Sequence, residues 1–219
     1  MKPLPNEIEQ RFGVAEGILL PVTVTTSQLG MLRAAEQSSA DGINLLVVAF
    51  VGAKLVAHSE PYSQRYKLPE VRLPGDILDL EVFETSLKQN FLAEYEVEIE
   101  ISRYVMMVHC TFMDDQRTEE EGPNMSSRTL HIFTARVPNA DEWQEELSVS
   151  EDSPIRLVKP RHLLDSLHSE WSDVKTQLSS GLTRYSDMKA EYDESWAFVR
   201  ARTAALVFKK LYNWELPEI

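Results

Sequence analysis

The chain has 219 residues, of which 43% are hydrophobic and 26% charged, as in an ordinary globular protein. Its formal net charge of −13 argues against binding to nucleic acid or to an anionic membrane surface, because both need clustered Lys and Arg. The single cysteine, Cys110, excludes an intrachain disulfide. The N-terminal segment lacks the apolar run of a signal peptide, and the run 45–51 is too short to span a bilayer, so we expect a cytoplasmic protein without membrane insertion.

A strand and a short helix are the first predicted elements. Residues 17–25 (GILLPVTVT) are apolar and β-branched, but Pro21 cannot donate to a ladder, so we expect a strand at a sheet edge or a bulge. Thr26 or Ser27 can cap a helix that ends near Gln37.

The next part of the chain predicts further strands. Residues 43–51 form an apolar run typical of a buried strand, and Gly52-Ala53 offers either a turn into a strand at 54–58 or a glycine bulge. Three prolines make 60–74 a loop or an irregular edge segment. Apolar and acidic residues alternate over 77–83, which predicts another strand.

The stretch 92–113 (LAEYEVEIEISRYVMMVHCTFM) carries the clearest periodic signal. In its first half apolar residues alternate with glutamates, which is the period of a half-buried strand. From Tyr104 to Phe112 both parities are apolar, as expected of a strand covered on both faces. Because the run is too long for one typical strand, we expect two antiparallel strands that reverse near Ser102 and Arg103.

The second half of the chain becomes helical after one more strand. Residues 114–127 are strongly hydrophilic and predict an exposed loop, followed by a strand at 128–137. We expect a short acidic helix at 141–147 and a linker at 148–160.

Two long helices are predicted at the C-terminal end. The first carries a heptad-like apolar seam, and its members are Leu164, Leu167, Trp171, Val174 and Leu178. A stop at Ser179-Ser180-Gly181 separates it from a second helix that reaches about Asn213. The broad apolar stripe of this antiparallel hairpin must pack on the sheet, on another subunit or on a ligand.

These patterns predict an α+β fold, with an antiparallel β-sheet packed with helices and a C-terminal antiparallel helical hairpin. The β-rich region covers 1–138 and includes the one short helix. The helical region covers 139–219, with the hairpin at 162–213, and the two regions can pack as one unit.

No residue pattern indicates a catalytic site or a binding site for a metal or cofactor. With eight glycines the chain shows no P-loop, dinucleotide turn or nucleophile elbow. His109 and Cys110 are strand neighbours whose side chains point to opposite faces, so they cannot form a catalytic pair. His162, Asp165 and His168 share a helix but need ligands from elsewhere to hold a metal. We therefore expect no catalytic residue, no cofactor and no metal.

The order of elements resembles the SecB-type export chaperone family. The segments that carry the resemblance are HSEPYSQRYKLPEV, ILDLEVF, AEYEVEIEIS, YVMMVHCTF, and WAFVRARTAAL running to WELPEI. The resemblance implies a four-stranded antiparallel sheet backed by helices, tetramer formation, and apolar grooves that hold non-native polypeptide. The sequence departs from that family by a long insertion at 114–185 and by an added N-terminal strand and helix.

Two other interpretations compete with the chaperone one. The run VRLPGDILDLEVFE is similar to hotdog-fold thioesterases and dehydratases, which wrap a sheet around one long helix placed early in the chain. The early helix expected here is short and interrupted by Gly30. The plainest interpretation is a docking subunit of a larger protein assembly, with the helical hairpin as its docking element.

A binding protein for non-native polypeptide is the function that we expect, more than an enzyme. The candidate groove residues are Phe83, Tyr104, Met106, Trp196 and Phe198, because thioethers and flat aromatics adapt to varied partners. The same residues are also suited to an ordinary core. The breadth of the apolar surfaces predicts a homo-oligomer.

Overall fold

The computed structural model describes residues 4–37, 42–59, 65–75, 77, 79–114, 125–140, 154–180 and 187–214. In chain order the elements are α1 (Asn6–Phe12), β1 (Glu16–Val24), α2 (Thr26–Gln37), β2 (Gly42–Val51), β3 (Lys54–Ser59), β4 (Tyr66–Lys67), β5 (Glu70–Pro74), α3 (Leu80–Tyr95), β6 (Glu100–Asp114), β7 (Met125–Arg136), β8 (Ile155–Val158), α4 (Pro160–Ser180) and α5 (Asp187–Tyr212).

One eight-stranded sheet forms the centre of the described structure, in the order β1-β6-β7-β2-β3-β4, with β5 beside β2 and β8 beside β3. The pairs β1–β6 and β2–β7 are parallel, and the other described pairs are antiparallel. The predicted α+β class is confirmed. Among the described strands β1 pairs with β6 alone, so the strand that contains Pro21 lies at a sheet edge, as predicted.

Helices pack on both faces of this sheet and bury two separate cores. On one face α1 and α3 pack against β2, β5, β6 and β7, and the largest buried residues are aromatic. On the other face α2, α4 and α5 pack over β1, β2, β6 and β7. The run from Tyr104 to Phe112 supplies residues to both cores, but burial on both faces is complete only at 104–106, and Met107, His109 and Thr111 on the α1 and α3 side are half-buried.

The C-terminal helices form the predicted antiparallel hairpin. Glu170 in the middle of α4 contacts Arg200 in α5, and Arg161 at the start of α4 lies over the ring of Trp214 after the end of α5. The linker predicted at 148–160 is partly wrong, because β8 lies inside it and pairs with β3. The helical region therefore contributes a strand to the sheet.

The strand predicted at 77–83 is wrong, because α3 begins at Leu80. The Asp79 side chain accepts hydrogen bonds from the backbone N–H groups of Glu81 and Val82 at 2.7 and 3.1 Å, which is an N-cap. Every fourth residue then faces the core, and these residues are Phe83, Leu87, Phe91 and Tyr95. The apolar-polar alternation at 77–83 is short and fits the period of a strand as well as that of a helix. Burial of three aromatic rings along one face of α3 favours the helix.

The hairpin predicted within 92–113 is also wrong. Helix α3 extends to Tyr95 and ends at Glu96 in the left-handed conformation, and β6 is one strand of 15 residues. Near the expected reversal at Ser102 and Arg103 the pairing with β7 shifts register instead. No Gly or Asn is present to make a tight turn there, so the strand continues through irregularities.

Several other boundaries differ from the sequence prediction. The segment 60–74 contains the strands β4 and β5, and β7 begins at Met125 rather than at 128. Most of the predicted loop at 114–127 and the whole predicted helix at 141–147 lie outside the described residues.

We expect Asp79→Ala to lower the free energy of unfolding by about 1 kcal/mol, because two N–H groups in the first turn of α3 lose their acceptor. Urea unfolding monitored by circular dichroism measures the change. Asp79→Asn is the matched control, since Asn caps helices as well as Asp does. Equal losses of unfolding free energy in the two variants would contradict the role of Asp79 as an N-cap.

A buried histidine makes stability depend on pH. The Nδ1 atom of His131 lies 2.6 Å from the hydroxyl of Tyr104 in the core under α1 and α3, and burial lowers the pKa of His131 to about 4. The unfolded chain binds this proton at a higher pH than the folded chain does. The contribution of neutral His131 to the free energy of unfolding is therefore fully present above the unfolded pKa near 6.5, and it is lost as the pH falls to about 4.

Between pH 7 and pH 4 we expect the wild type to lose on the order of 3 kcal/mol more stability than His131→Gln, which carries no titrating group at this position. Urea unfolding of both proteins at several pH values gives the difference, and the carboxylates common to both cancel. Parallel stability curves would show that His131 titrates normally in the folded protein.

Candidate binding surfaces

The structure places the five predicted groove residues on two different faces of the sheet. Phe83 and Tyr104 are buried in the core under α1 and α3, where both rings pack on Phe133 at 5.4 and 4.6 Å between centroids. Met106 is buried in the opposite core. These three side chains form part of the packed interior.

The other two predicted residues are half-buried on α5, against the second face of the sheet. The Trp196 ring lies 5.6 Å from the ring of Phe112 and 4.6 Å from the guanidinium of Arg128. Phe198 packs instead on Trp171 of α4, at 5.6 Å. Of the five residues, Trp196 alone lines the pocket between the sheet and the hairpin, so the five do not form one groove.

That pocket is a cleft between the sheet and the helical hairpin, here called the polar cleft, and its enclosed space is about that of one or two water molecules. Its lining residues are Leu46, Leu68, Glu70, Leu130, Leu167, Trp196, Val199, Arg200 and Thr203. Most of these side chains are apolar, and the charged ones among them are Glu70 and Arg200.

A buried ion pair forms the helical side of the polar cleft. Arg200 donates through Nη2 to Oε1 of Glu170 at 2.6 Å, and only 7% of the Glu170 side chain is exposed. The Nε of Arg200, the Oε2 of Glu170 and the Oγ1 of Thr203 are buried without a hydrogen-bond partner among the described residues. Buried polar groups nearly always have a hydrogen-bond partner, so the lack of one at these three atoms requires an explanation.

On the sheet side, Glu70 lines the polar cleft and is paired with Arg128, which lies outside the lining. Arg128 donates to the side-chain oxygen of Asn44 at 2.9 Å, and its Nη2 lies 3.8 Å from a carboxylate oxygen of Glu70. The hydroxyl of Tyr95 fixes the backbone of Glu70, accepting from its N–H at 3.0 Å and donating to its C=O at 2.8 Å. Helix α3 thereby holds a cleft residue from the opposite face of the sheet.

Sequence analysis missed Glu70 and Arg200 in the polar cleft and their partners Arg128 and Glu170, because the four residues lie on four elements that are far apart in the chain. One signal was available. Glu170 stands directly before Trp171 and three residues after Leu167, so a carboxylate occupies the border of the apolar seam of α4. Charges at such positions need a buried partner.

A second surface is the open face, the part of the sheet on the α1 and α3 side that no described helix covers. Large apolar side chains are exposed there, and they are Leu19 of β1 (67%), Met113 of β6 (37%) and Met125 of β7 (48%). His109 lies opposite Leu19 and is paired in turn with Thr129, and these two residues are half-buried and joined by a 3.0 Å hydrogen bond. Burial lowers the pKa of His109.

Within the described part of the chain, no three His, Cys, Asp or Glu residues come close enough to hold a metal ion. Burial raises the pKa of Cys110 to about 12, so its thiol stays protonated at neutral pH. No helix among the described residues is long and apolar enough to cross a membrane.

Comparison of the sequence with protein-family models and with curated proteins finds no match. Among solved structures, similarity is found to a Sinorhizobium meliloti 1021 protein described as a "putative oxidoreductase", with 13% identity and a TM-score of 0.33, over 64% of this chain and 37% of that one. The E. coli ORF135 protein is similar with 12% identity and a TM-score of 0.32, over 74% of this chain and 91% of that one. At these TM-scores neither structure indicates a function for this chain.

Glu170→Gln removes one charge of the buried pair and leaves the Arg200 guanidinium without a counter-charge at its closest contact. We expect a loss of about 3 kcal/mol in the free energy of unfolding, because an uncompensated charge stays buried. Asp165→Asn on the same helix is the control, since both partners of its pair with Arg161 are 60% exposed and such pairs contribute little. Similar small losses in both variants would show that the Glu170 pair is well solvated.

Proposed function

We propose that the protein is a non-enzymatic binding protein that holds non-native polypeptide, and that it does so on the open face. The observation that supports the proposal is the exposure of Leu19, Met113 and Met125 on one face of the sheet, where Met113 is paired with Met125 and Leu19 lies on the edge strand β1 opposite His109. Large exposed apolar side chains on one face are typical of surfaces that bind other molecules. This keeps the activity implied by the SecB resemblance and moves the binding surface away from Phe83, Tyr104 and Met106.

The chemistry of the open face suits varied polypeptide segments. Methionine side chains are flexible and polarisable, so Met113 and Met125 can pack against different client side chains. None of the described strands pairs with the outer edge of β1, which can offer backbone groups to an extended segment, and Pro21 limits the length of any strand that can add there. The net charge of −13 favours basic clients and keeps the complex soluble.

The segments that carried the SecB resemblance fold differently from that family's pattern, since ILDLEVF begins α3 and the two following segments give one strand. The proposal therefore depends on the open face and not on a shared fold. A hotdog-type enzyme is not favoured either, because the described helices cover both faces of the sheet instead of one helix lying inside it.

The test is suppression of the aggregation of a reduced or heat-labile model client. We expect the wild type to suppress it and the double variant Leu19→Ser with Met125→Ser to bind the client about tenfold more weakly, because two apolar contacts are lost. Both positions are exposed, so circular dichroism and the melting temperature should change little.

The matched control is Val82→Ser with Leu92→Ser on α3, which removes two exposed apolar side chains from a different surface. This control should suppress aggregation as well as the wild type does. Absence of suppression by the wild type at several-fold excess, or an equal loss in the α3 control, would reject the proposal. The docking-subunit interpretation would then take precedence.

A further inference from the structure

We propose that the open face is also the contact between two copies of this chain, which form a weak and reversible dimer, and that this dimer masks the surface on which non-native polypeptide would bind. The dimer follows from the composition, the charge and the size of the open face. Its role in regulating client binding rests on the proposed function.

Nine side chains form a regular array on the open face, here called the uncharged array. Strand pairing places them in three rows across β1, β6 and β7. The first row is Leu19, His109 and Thr129, the middle row is Pro21, Thr111 and Ser127, and the last row is Thr23, Met113 and Met125. His109, Thr111 and Thr129 are half-buried and the other six are exposed, so the array is a continuous accessible surface.

The uncharged array carries no charged group at neutral pH. None of its nine members is Asp, Glu, Lys or Arg, although 26% of the residues in the chain are charged. Burial lowers the pKa of His109, so this ring is neutral as well. The charged residues Glu16 and Arg128 on the same strands lie on the opposite side of the sheet, where they contact Lys210 and Trp196 of α5.

This lack of charge favours a second copy of the chain as the partner. Two copies with a net charge of −13 repel each other, and an acidic side chain in a two-fold interface would lie close to the acidic surface of the other copy. A folded basic partner would instead be matched by carboxylates on the contact surface, and the array has none. The array is therefore a surface on which two acidic copies can meet, and Leu19, Met113 and Met125 supply apolar area for the contact.

The size of the uncharged array limits the strength of the dimer. Its three strands lie about 4.8 Å apart, and each contributes five residues at a rise of about 3.3 Å, so the flat footprint is roughly 250 Å². A stable interface buries about 800 Å² on each partner, so we expect this dimer to form only at micromolar or higher concentration. A client can displace such a contact, because the side chains that the dimer covers are those that client binding needs.

Sedimentation velocity of the full chain without client, from micromolar to near-millimolar concentration, tests the dimer. We expect a reversible equilibrium between monomer and dimer in the wild type. Ser127→Glu places a charge in the middle row and should weaken dimerisation at least about tenfold, because the charge would lose its water in the contact. Ser127→Lys should also weaken it, although this change reduces the net negative charge, so the pair of variants separates a local contact from general repulsion between copies.

Ser102→Glu is the matched control, because Ser102 is an exposed serine on β6 that lies outside the uncharged array. The control should dimerise like the wild type. Ser127 is exposed too, so circular dichroism should show the same fold in all three variants. A wild type that stays monomeric at every concentration, a dimer that neither Ser127 variant weakens, or an equal loss in the control would overturn the proposal.

A separate measurement with the model client tests the masking role. Adding the client should convert the dimer into client-bound single copies, and a client that binds the intact dimer would overturn the masking. Dimerisation through the array without any suppression of aggregation would reject the proposed function and support the dimer. Suppression of aggregation by a chain that stays monomeric at every concentration would reject the dimer and support the proposed function.

Discussion

The antiparallel pairing of β6 with β7 is the constraint on which the rest of the structure depends. These are the two longest described strands, of 15 and 12 residues, and they lie side by side in the interior of the sheet. Strand β6 supplies residues to both cores, since Tyr104 lies in one and Met106, two positions on and past a register shift, lies in the other. Because both faces are apolar, helices have to cover both, and a one-sided sheet would leave half of this strand in water.

The helices do not cover the two faces equally, and both candidate surfaces result from this. On one face α1 and α3 pack near Tyr104 and Phe133 but leave the far ends of β6 and β7 exposed beside β1. On the other face the longer α4 and α5 span the sheet and enclose charged side chains between themselves and the strands. The register shifts near Tyr104 contribute to this division, since they change which β6 residues face each layer.

The buried charges beside the polar cleft are unfavourable for the stability of the fold. Removing two charges from water is opposed by a desolvation free energy that a single ion pair rarely exceeds, and apolar residues of similar size often stabilise such positions as well or better. Glu170 and Arg200 nevertheless occupy the interface between α4, α5 and the sheet, with further polar atoms of both residues unsatisfied among the described residues.

The sequence by itself determined the α+β class, the edge position of the strand containing Pro21, the burial of one face along 104–112 and the helical hairpin, since each depends on a local pattern or on the chemistry of one residue. Only the tertiary structure decided that 80–95 is a helix, because packing on Phe133 selected between two periods that the sequence fits equally well. The tertiary structure also decided which residues line the polar cleft. They lie on β2, β5, β7, α4 and α5 and on the segment before β5. Strand pairing and helix packing bring them together, so their spacing along the chain does not predict the cleft.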